Sequence, residues 1–324
     1  MTSAEIPPET EPAAAPRERG AQSYMGFVGV STGGSSIRKV FPEWADALQL
    51  PTRTLVGHDV ALDSPPQVYR EVVEAIRDDP QHWGALVTTH KMAVHAAARD
   101  LFDACDDLAE TFGEISCIAK RDGRLVGSAK DPVTARLALE EFLAPDHFAA
   151  NGGAALILGS GGAGTALGHE LGVRADRPEQ IICTALTQGP LDHARQIHER
   201  AGLPTGLVRY VVTGGAADVD ALLESLPPAS LVVNATGMGK DRPGSPVSGG
   251  AHFPERGVVW EFNYRGPLDF WHQALAQQQE RRLHVEDGWR YFVHGWSQAT
   301  AEVFDIPMPA ETVDELGRIA ARLR

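Results

Sequence analysis

The sequence predicts an α/β fold in two domains, and three observations support this prediction. The chain has 324 residues, which is more than one compact core usually holds. Short apolar runs typical of buried strands alternate with segments whose apolar residues recur at helical spacing. A glycine-rich turn after residue 158 begins a second run of the same alternation. Such alternation is typical of parallel sheets joined by right-handed helical crossovers.

The first run of elements begins at Tyr24 and ends before a turn-forming Asn-Gly-Gly stretch at residues 151–153. Within it the patterns predict strands at 24–30, 53–60 and 83–88, helices at 37–48, 65–77, 91–98 and 131–143, and a hairpin of 115–119 with 124–126. Residues 1–20 are rich in Pro, Ala and Glu with almost no large apolar side chain, so we expect a disordered tail.

The second run continues to the end of the chain. Strands are predicted at 180–184, 207–213, 231–234 and 257–262. One helix is predicted to follow the first of these strands and to end at residue 200, and others are predicted at 218–226, 267–279, 288–304 and 311–323. We therefore expect an α/β domain over 21–145 and a dinucleotide-binding domain over 146–285.

Composition excludes several classes of protein. With 43 Asp and Glu against 29 Lys and Arg, the net charge is −14, which argues against nucleic acid or an anionic membrane as partner. No apolar run is long enough to span a membrane, and the N-terminus lacks the order of a secretory signal, so we expect a cytoplasmic protein. The three cysteines, Cys105, Cys117 and Cys183, lack metal-ligand spacing. We expect reduced thiols and no metal site.

The glycine-rich turn is the strongest functional signal in the residues themselves. The apolar run 154–158 precedes Gly159, Gly161 and Gly164, and helical apolar spacing follows. This is the Gly-x-Gly-x-x-Gly pattern of a dinucleotide-binding βα turn, in which the glycines allow a tight turn, close approach of a pyrophosphate and close packing of helix on strand. The predicted cofactor-binding residues here are Gly159, Ser160, Gly161, Gly162, Ala163 and Gly164. An ordinary βα turn without ligand remains the alternative.

Four further stretches, in the same order along the chain, resemble the shikimate dehydrogenase family. They are Gly84-Ala85-Leu86-Val87-Thr88-Thr89-His90-Lys91, similar to Gly-x-Asn-Val-Thr-x-Pro-x-Lys; Gly127-Ser128-Ala129-Lys130-Asp131, similar to Gly-x-Asn-Thr-Asp; Val233-Asn234-Ala235-Thr236-Gly237-Met238-Gly239, similar to Asn-Ala-Thr-x-x-Gly-Met; and residues 288–304, similar to the terminal Gly-x-x-Met-Leu-x-x-Gln segment. The resemblance covers residues 24 to about 306. It implies a substrate-binding N-terminal domain, a Rossmann domain for NAD or NADP, and C-terminal helices, about 286–324, that return to the first domain.

The resemblance also implies a catalytic pair, Lys91 and Asp131. Oxidation of a secondary alcohol needs a proton acceptor beside the hydroxyl and near the nicotinamide. A buried lysine can serve because burial lowers its pKa, whereas a neighbouring carboxylate opposes that shift. From the residues alone, a solvated lysine and an N-capping aspartate remain the alternative. The loop before Lys91 is one residue shorter than the family pattern, which makes His90 a reserve acid/base candidate.

On the substrate side the chain departs from the family pattern. The predicted substrate-binding residues are Ser35, Arg38, Thr88, Ser116, Tyr264 and Gln298. At positions where the family places polar groups on shikimate, this sequence has Ile37, Leu86 and Ala129, and Gly295 aligns with the family's late glutamine. Lost polar partners discriminate strongly against the original ligand. We therefore expect the same chemistry on a different cyclic alcohol or hydroaromatic acid, not on shikimate itself.

On the cofactor side, the residues predicted to contact the dinucleotide beyond the glycine turn are Thr187, Asn234, Ala235, Thr236 and Met238. After the second Rossmann strand the family usually has an arginine for the 2′-phosphate of NADP or an acid for the 2′-hydroxyl of NAD. This chain has Ala185-Leu186-Thr187 instead. Without a cation there, NAD is favoured over NADP.

The leading hypothesis is therefore an NAD(P)-dependent alcohol dehydrogenase of the shikimate dehydrogenase type. Two alternatives stay open: a non-catalytic dinucleotide-binding or regulatory protein on the same fold, and an amino-acid or tetrahydrofolate dehydrogenase with the same two-domain plan. The predicted partners are a small-molecule substrate and, as an open alternative, a second copy of the chain in a homodimer.

Overall fold

A computed structural model of the protein describes residues 22–240 and 242–324. Within these ranges the chain forms two six-stranded sheets with helices packed against them. The α/β prediction, including a Rossmann-type second sheet, is confirmed. The predicted disordered tail at 1–20 lies outside the described residues.

The first sheet is mixed. Its strands are β1 (Tyr24–Gly29), β2 (Leu55–Asp59), β3 (His82–Val87), β4 (Ala104–Cys105), β5 (Cys117–Arg121) and β6 (Arg124–Ser128), in the order β2-β1-β3-β5-β6-β4. Strand β1 pairs in parallel with β2 and β3, whereas β5 is antiparallel to both β3 and β6. The predicted hairpin is confirmed, and because of it the sheet is not the purely parallel one that alternation suggested. Strands β3 and β6 consequently run in the same direction on either side of β5.

The helices of this half are α1 (Ile37–Ala47), α2 (Pro66–Asp78), α3 (Lys91–Ala98), α4 (Asp107–Phe112) and α5 (Asp131–Glu140). The sequence analysis missed α4, which has only six residues. Its N-cap is Asp106, whose side chain accepts a hydrogen bond from the Ala109 N–H, and it ends at Gly113 in the left-handed conformation. This short helix leads the chain into the buried residue Glu114.

The second sheet is entirely parallel. Its strands are β7 (Ala155–Leu158), β8 (Ile181–Ala185), β9 (Val208–Val212), β10 (Leu231–Asn234), β11 (Val258–Glu261) and β12 (His284–Glu286), in the order β12-β11-β10-β7-β8-β9. Counted from β7, this is the doubly wound order of dinucleotide-binding folds, whose ligand crevice lies at the carboxyl ends of the strands where the winding direction reverses. The sequence analysis missed the short edge strand β12.

The remaining helices are α6 (His147–Asn151), α7 (Gly162–Val173), α8 (Gln188–Arg200), α9 (Ala216–Glu224), α10 (Asp269–Arg281), α11 (Trp289–Phe304) and α12 (Ala310–Ala321). The last two return to the first sheet. The indole N–H of Trp44 donates to the Leu316 carbonyl at 2.9 Å, and the ring of Trp296 meets Phe27 edge-on at 4.9 Å. Among the described helices, none has the length and apolar character needed to cross a bilayer.

Candidate functional site

The centre of the candidate site is an ion pair between two helix starts. Lys91 opens α3 directly after β3, and Asp131 opens α5 directly after β6. Because β3 and β6 run in the same direction, their carboxyl ends meet at one edge of the first sheet. The ammonium Nζ of Lys91 contacts Oδ2 of Asp131, and the two side chains are only 21% and 12% exposed. The structure thus brings these two predicted residues together.

The electrostatics of Lys91 decide which of its protonation states prevails. Burial lowers the pKa of its ammonium, but the negative charges of Asp131 and Glu114 and the hydrogen bond to Asp131 raise it, and the net pKa is above the ordinary value. The effect of the carboxylates on the pKa of Lys91 therefore outweighs the effect of burial. At neutral pH Lys91 carries a proton that it can donate.

Glu114 is a third member of the site that the sequence analysis did not identify. It lies between α4 and β5 and is 2% exposed. Within the described part of the chain, its Oε1 has no hydrogen-bond partner. Burial, followed by the charge of Asp131, raises the pKa of its carboxyl to about 8 against the opposing effect of Lys91. The signal in the sequence was a single acidic residue between Gly113, which ends a helix, and the uncharged residues 115–119.

Tyr291 is a fourth member, and it comes from the returning helix α11. Its hydroxyl is buried and has no hydrogen-bond partner in residues 22–240 and 242–324, and its ring stacks on Phe262 at 4.6 Å. Burial and then the charges of Asp131 and Glu114 raise the pKa of the phenol well above its ordinary value. An amine, two carboxyls and a phenol thus converge at the edge of the first sheet.

The glycine turn of the second sheet faces this cluster. Gly159 has φ +97°, and a Cβ on it would lie 2.8 Å from the Ala235 carbonyl oxygen; a Cβ on Gly164 would lie 1.9 Å from the Gly159 carbonyl oxygen. By contrast, a Cβ on Gly161 would meet nothing within 4 Å. Helix α7 then begins at Gly162 with no side-chain cap.

These residues fit a nicotinamide dinucleotide. The open space at Gly161 and the uncapped N–H groups of a twelve-residue helix form the cradle that a pyrophosphate requires. Ala163, like Gly162, is half-buried in the first turn of that helix. Ser160 is 4% exposed and its hydroxyl donates to the Thr184 carbonyl, so only its backbone remains for a ligand.

The end of β10 and the loop after it contain four of the residues predicted to contact the dinucleotide. Asn234 is fully buried; its amide donates to Glu261 at 2.6 Å and its carbonyl accepts from the N–H and hydroxyl of Thr236. Asn234 therefore supports the loop through its side chain, and its predicted contact with the dinucleotide stays a prediction. Ala235, Thr236 and Met238 are half-buried in that loop.

Glu261 anchors the same loop and is a second carboxyl with an altered pKa. Burial raises its pKa to about 7 against the hydrogen bonds that it accepts from Asn263 and Asn234. Thr187 lies apart from this loop, exposed at the N-cap of α8. Its position after β8 is where sequence analysis placed contact with the adenosine ribose.

The residues predicted to bind substrate are distributed over several elements. Ser35, Thr88, Tyr264 and Gln298 are half-buried. The hydroxyl of Thr88 donates to Val28 at 3.3 Å, and Tyr264 packs on Phe292 with ring centroids 4.5 Å apart.

Two further predicted substrate-binding residues are Ser116 and Arg38. Ser116 is 4% exposed, and its hydroxyl accepts from the Lys130 N–H at 2.6 Å in the β5–β6 hairpin. Arg38 is exposed above edge strand β2, with Nη1 3.3 Å from a Cβ placed on Gly57, and no hydrogen bond or ion pair among the described residues joins it to Lys91. The expectation that Ser116 and Arg38 contact substrate receives no support from these positions.

An apolar cluster occupies the face of the first sheet beneath α11. It includes Phe27, Ile37, Leu86 and Trp296, all at most 9% exposed. Leu86 and Ile37 are two positions where the resemblance places polar contacts to shikimate. The third such position, Ala129, is completely buried.

His90 does not join the site. Its Nε2 lies 2.9 Å from the Val60 carbonyl oxygen and its Nδ1 3.4 Å from the Tyr69 hydroxyl. Both rings line a separate concavity of about 390 Å³ between α2 and α3 that includes neither Lys91 nor Asp131. The geometry thus favours Lys91 over the reserve candidate. The described residues contain no group of three or more His, Cys, Asp or Glu placed to hold a metal ion.

The fold and this site can be compared with known proteins. No protein-family model matches the chain. It is 29% identical over 278 residues to the NADP(+) shikimate dehydrogenase of Methylobacterium radiotolerans, covering 85% of this chain and 90% of the relative. It is 28% identical over 232 residues to that of Mesorhizobium japonicum, covering 72% and 74%.

Among solved structures, the quinate dehydrogenase of Corynebacterium glutamicum in complex with NAD aligns with a TM-score of 0.71 at 18% identity, covering 93% of this chain and 99% of that one. The shikimate 5-dehydrogenase of Thermus thermophilus in complex with NADP(H) and shikimate aligns with a TM-score of 0.64 at 23% identity, covering 92% and 99%. These likenesses establish the fold. The chain is thus similar in sequence to shikimate dehydrogenases and in fold to shikimate and quinate dehydrogenases.

Proposed function

We propose that this protein transfers hydride between a nicotinamide dinucleotide and a secondary alcohol or ketone on a ring-shaped substrate, with Lys91 as proton donor and acceptor. One observation carries the proposal: Lys91 is paired with Asp131 beside the start of α7, where Oδ2 of Asp131 lies 3.9 Å from a Cβ placed on Gly162. The proton-transfer pair therefore lies next to the candidate dinucleotide cradle. The two requirements of alcohol dehydrogenation, a proton acceptor and a hydride acceptor, meet there.

The residues divide the reaction as follows. The bound dinucleotide supplies or accepts the hydride. In ketone reduction Lys91 donates its ammonium proton to the carbonyl oxygen as the carbinol C–H bond forms, leaving a neutral amine; in oxidation the amine takes the hydroxyl proton. Asp131 orients the ammonium, and its charge raises the pKa of Lys91. The site is consequently set for reduction at neutral pH, whereas oxidation needs the deprotonated amine.

We propose further that shikimate itself is a poor substrate. Leu86, Ile37 and Ala129 offer no hydrogen bond, and the first two belong to the buried apolar cluster. Each polar group of a ligand left unpaired in such surroundings costs about 1–3 kcal/mol. A cyclic alcohol or hydroaromatic acid with fewer hydroxyl groups fits these side chains better.

NAD is the proposed cofactor in preference to NADP. Residues 186–189 after β8 contain no cationic side chain, and Thr187 offers a hydroxyl suited to a ribose. A 2′-phosphate would lack a charge-assisted partner from these residues.

The decisive experiment is substitution of the lysine. In Lys91→Ala, turnover of a panel of cyclic alcohols and ketones that includes shikimate and quinate should fall by about 10²–10⁴-fold. Dinucleotide affinity, measured by fluorescence titration, should change little. Lys130→Ala is the matched control, because Lys130 is also half-buried and paired with a carboxylate, Glu302, at 2.8 Å. Equal turnover in Lys91→Ala and the parent protein would refute the assignment.

The apolar cluster also favours one rival, a dinucleotide-binding protein that has lost its substrate pocket. That rival predicts binding of NAD with no turnover on any member of the panel. The proposal predicts both binding and turnover, so the same panel separates the two.

A further inference from the structure

Glu114 belongs to the first half of the chain and lies beside the start of α7. Its Oε2 is 3.4 Å from a Cβ placed on Gly162, the first residue of that helix. The side chain is 2% exposed. No other carboxyl among the described residues approaches this position as closely; Asp131 follows at 3.9 Å.

Two independent features of this position are suited to a ligand. The first is the uncapped N-terminus of α7, whose N–H groups and dipole favour an anion. The second is the carboxyl of Glu114, whose Oε2 lies towards Gly162 and whose buried Oε1 has no hydrogen-bond partner among the described residues. A buried atom of this kind costs free energy unless a partner arrives, and the dinucleotide of the proposed function is the molecule that would pass this point.

We propose that Glu114 is a dinucleotide-contacting residue whose carboxyl is protonated in the bound complex, so that dinucleotide binding is coupled to the uptake of a proton. This inference rests on the proposed function only in requiring that the chain binds a nicotinamide dinucleotide. A neutral carboxyl donates a hydrogen bond to a phosphate or ribose oxygen. An ionised one accepts only and repels the pyrophosphate.

The charged groups around Glu114 set when it ionises. Lys91 of α3 favours the ionised form, while Asp131 of α5 and Asp106, just before α4, oppose it. Tyr291 of α11 faces the same cluster with an un-ionised hydroxyl. With burial added, the pKa of Glu114 is raised to about 8. The carboxyl is thus mainly neutral at pH 7 and mainly ionised at pH 9.

The experiment measures NAD binding from pH 7 to pH 9 by calorimetry in buffers of different ionisation enthalpy. If only the neutral carboxyl binds, the affinity falls about tenfold over this range, and at pH 9 close to one proton is taken up per NAD bound. NAD carries no group of its own that titrates in this interval. A constant affinity with no proton uptake would overturn the inference.

Variants identify the group responsible. Glu114→Gln keeps a neutral, hydrogen-bonding side chain of the same size, so NAD should bind with the same affinity at pH 7 and pH 9 and without proton uptake. Glu261→Gln is the control, because Glu261 is the other buried carboxyl of the site with a raised pKa; this variant should keep the tenfold change. If the pH dependence disappears in Glu261→Gln and persists in Glu114→Gln, the assignment is wrong.

The outcomes keep this inference apart from the proposed function. Absence of NAD and NADP binding at every pH would contradict the proposed function. Binding without pH dependence would contradict only the role of Glu114. Should Glu114→Gln fail to fold by circular dichroism, proton uptake by the parent protein remains the deciding measurement.

Discussion

The two halves of this protein present functional groups in different ways. In the second sheet the candidate dinucleotide cradle consists of backbone, and the short stretch from Gly159 to Gly164 contains it. In the first sheet the candidate reaction centre consists of side chains from Lys91, Glu114 and Asp131, with Tyr291 added by a helix near the end of the chain. The first kind of site is local in sequence, and the second exists only once the elements are packed.

This difference determines how much of each site can be predicted from the sequence. A backbone cradle depends on a few glycines whose replacement causes steric overlap, so it has a short sequence signature. A pocket of side chains can change one residue at a time without loss of the fold. Leu86 and Ile37, at positions where the resemblance places polar contacts, belong to the buried apolar cluster of the first sheet.

The largest effect on turnover is expected for a change in the side-chain site, Asp131→Asn. The variant removes the charge that most strongly raises the pKa of Lys91, while burial of the lysine remains. Turnover should fall by about 10²-fold or more because the ammonium loses its orienting partner.

A second readout from Asp131→Asn tests the electrostatic argument itself. Since the pKa of Lys91 falls, the rising limb of the pH–rate profile for alcohol oxidation, measured at saturating dinucleotide, should move to lower pH. A profile that keeps the parent position despite reduced turnover would contradict the proposed control of Lys91 by Asp131.

The next effect concerns the backbone cradle. Gly164→Val would force a side chain to within 1.9 Å of the Gly159 carbonyl oxygen, and overpacking against backbone costs about 1–3 kcal/mol or more. We expect a lower free energy of unfolding in urea and loss of dinucleotide binding. Gly161→Ala is the control, because its Cβ meets nothing within 4 Å; its unfolding midpoint should match the parent. Equal stability of the two variants would contradict the steric role of Gly164 in the cradle.

A smaller effect is expected where α11 returns to the first half. Glu141, just after α5, accepts hydrogen bonds from His294 and Arg290 of α11. Although burial opposes the shift, these bonds lower the pKa of Glu141 to about 2. In Glu141→Gln the free energy of unfolding at pH 7 should fall by about 1 kcal/mol.

The pH dependence of the Glu141 effect has a definite sign. Because the folded pKa lies below the ordinary value of 4.5, the contribution is present above pH 4.5 and is lost as the pH falls towards 2. Urea titrations across this range should therefore show the parent and Glu141→Gln converging in acid. Glu140→Gln, at an exposed position paired only with Arg136 in its own helix, should leave stability nearly unchanged at all pH values.

The smallest effect tests cofactor choice. Thr187→Arg places a cation after β8, and we expect the affinity for NADP relative to NAD to rise several-fold, by about 1 kcal/mol or less at an exposed site. Gln196→Arg, which adds the same charge at an exposed position further along α8, is the control for net charge. A parallel gain for both dinucleotides in Thr187→Arg would indicate general electrostatic attraction instead of 2′-phosphate recognition.

Much of the fold was predictable from periodicity and turn residues. Helix α3 was predicted with the ends that the structure has, and the β5–β6 hairpin was placed correctly around Asp122 and Gly123. The misses were short elements, α4, α6, β4 and β12, of two to six residues. Segments of this length contain too few residues for a period to emerge, and their stability derives from the neighbours that they pack against.

For the site, the sequence predicts groups that lie within one segment, whereas burial and proximity are known only from the structure. From the sequence, Asn234 is a predicted dinucleotide contact. Its complete burial is known only from the structure. The sequence shows Glu114 as one acid among many. Only its enclosure beside Asp131 and Gly162 distinguishes it from a solvated surface group.

By itself, the sequence determined the α/β class and the glycine-rich turn, because both depend on residues adjacent along the chain. The pairing of Lys91 with Asp131 was predicted only through the resemblance to a family. The tertiary structure alone decided which carboxyls are buried together, which polar side chains are already engaged, and that Lys91 carries a raised pKa. These properties depend on distance and on exclusion of water, which arise only when segments far apart in the chain are packed against one another.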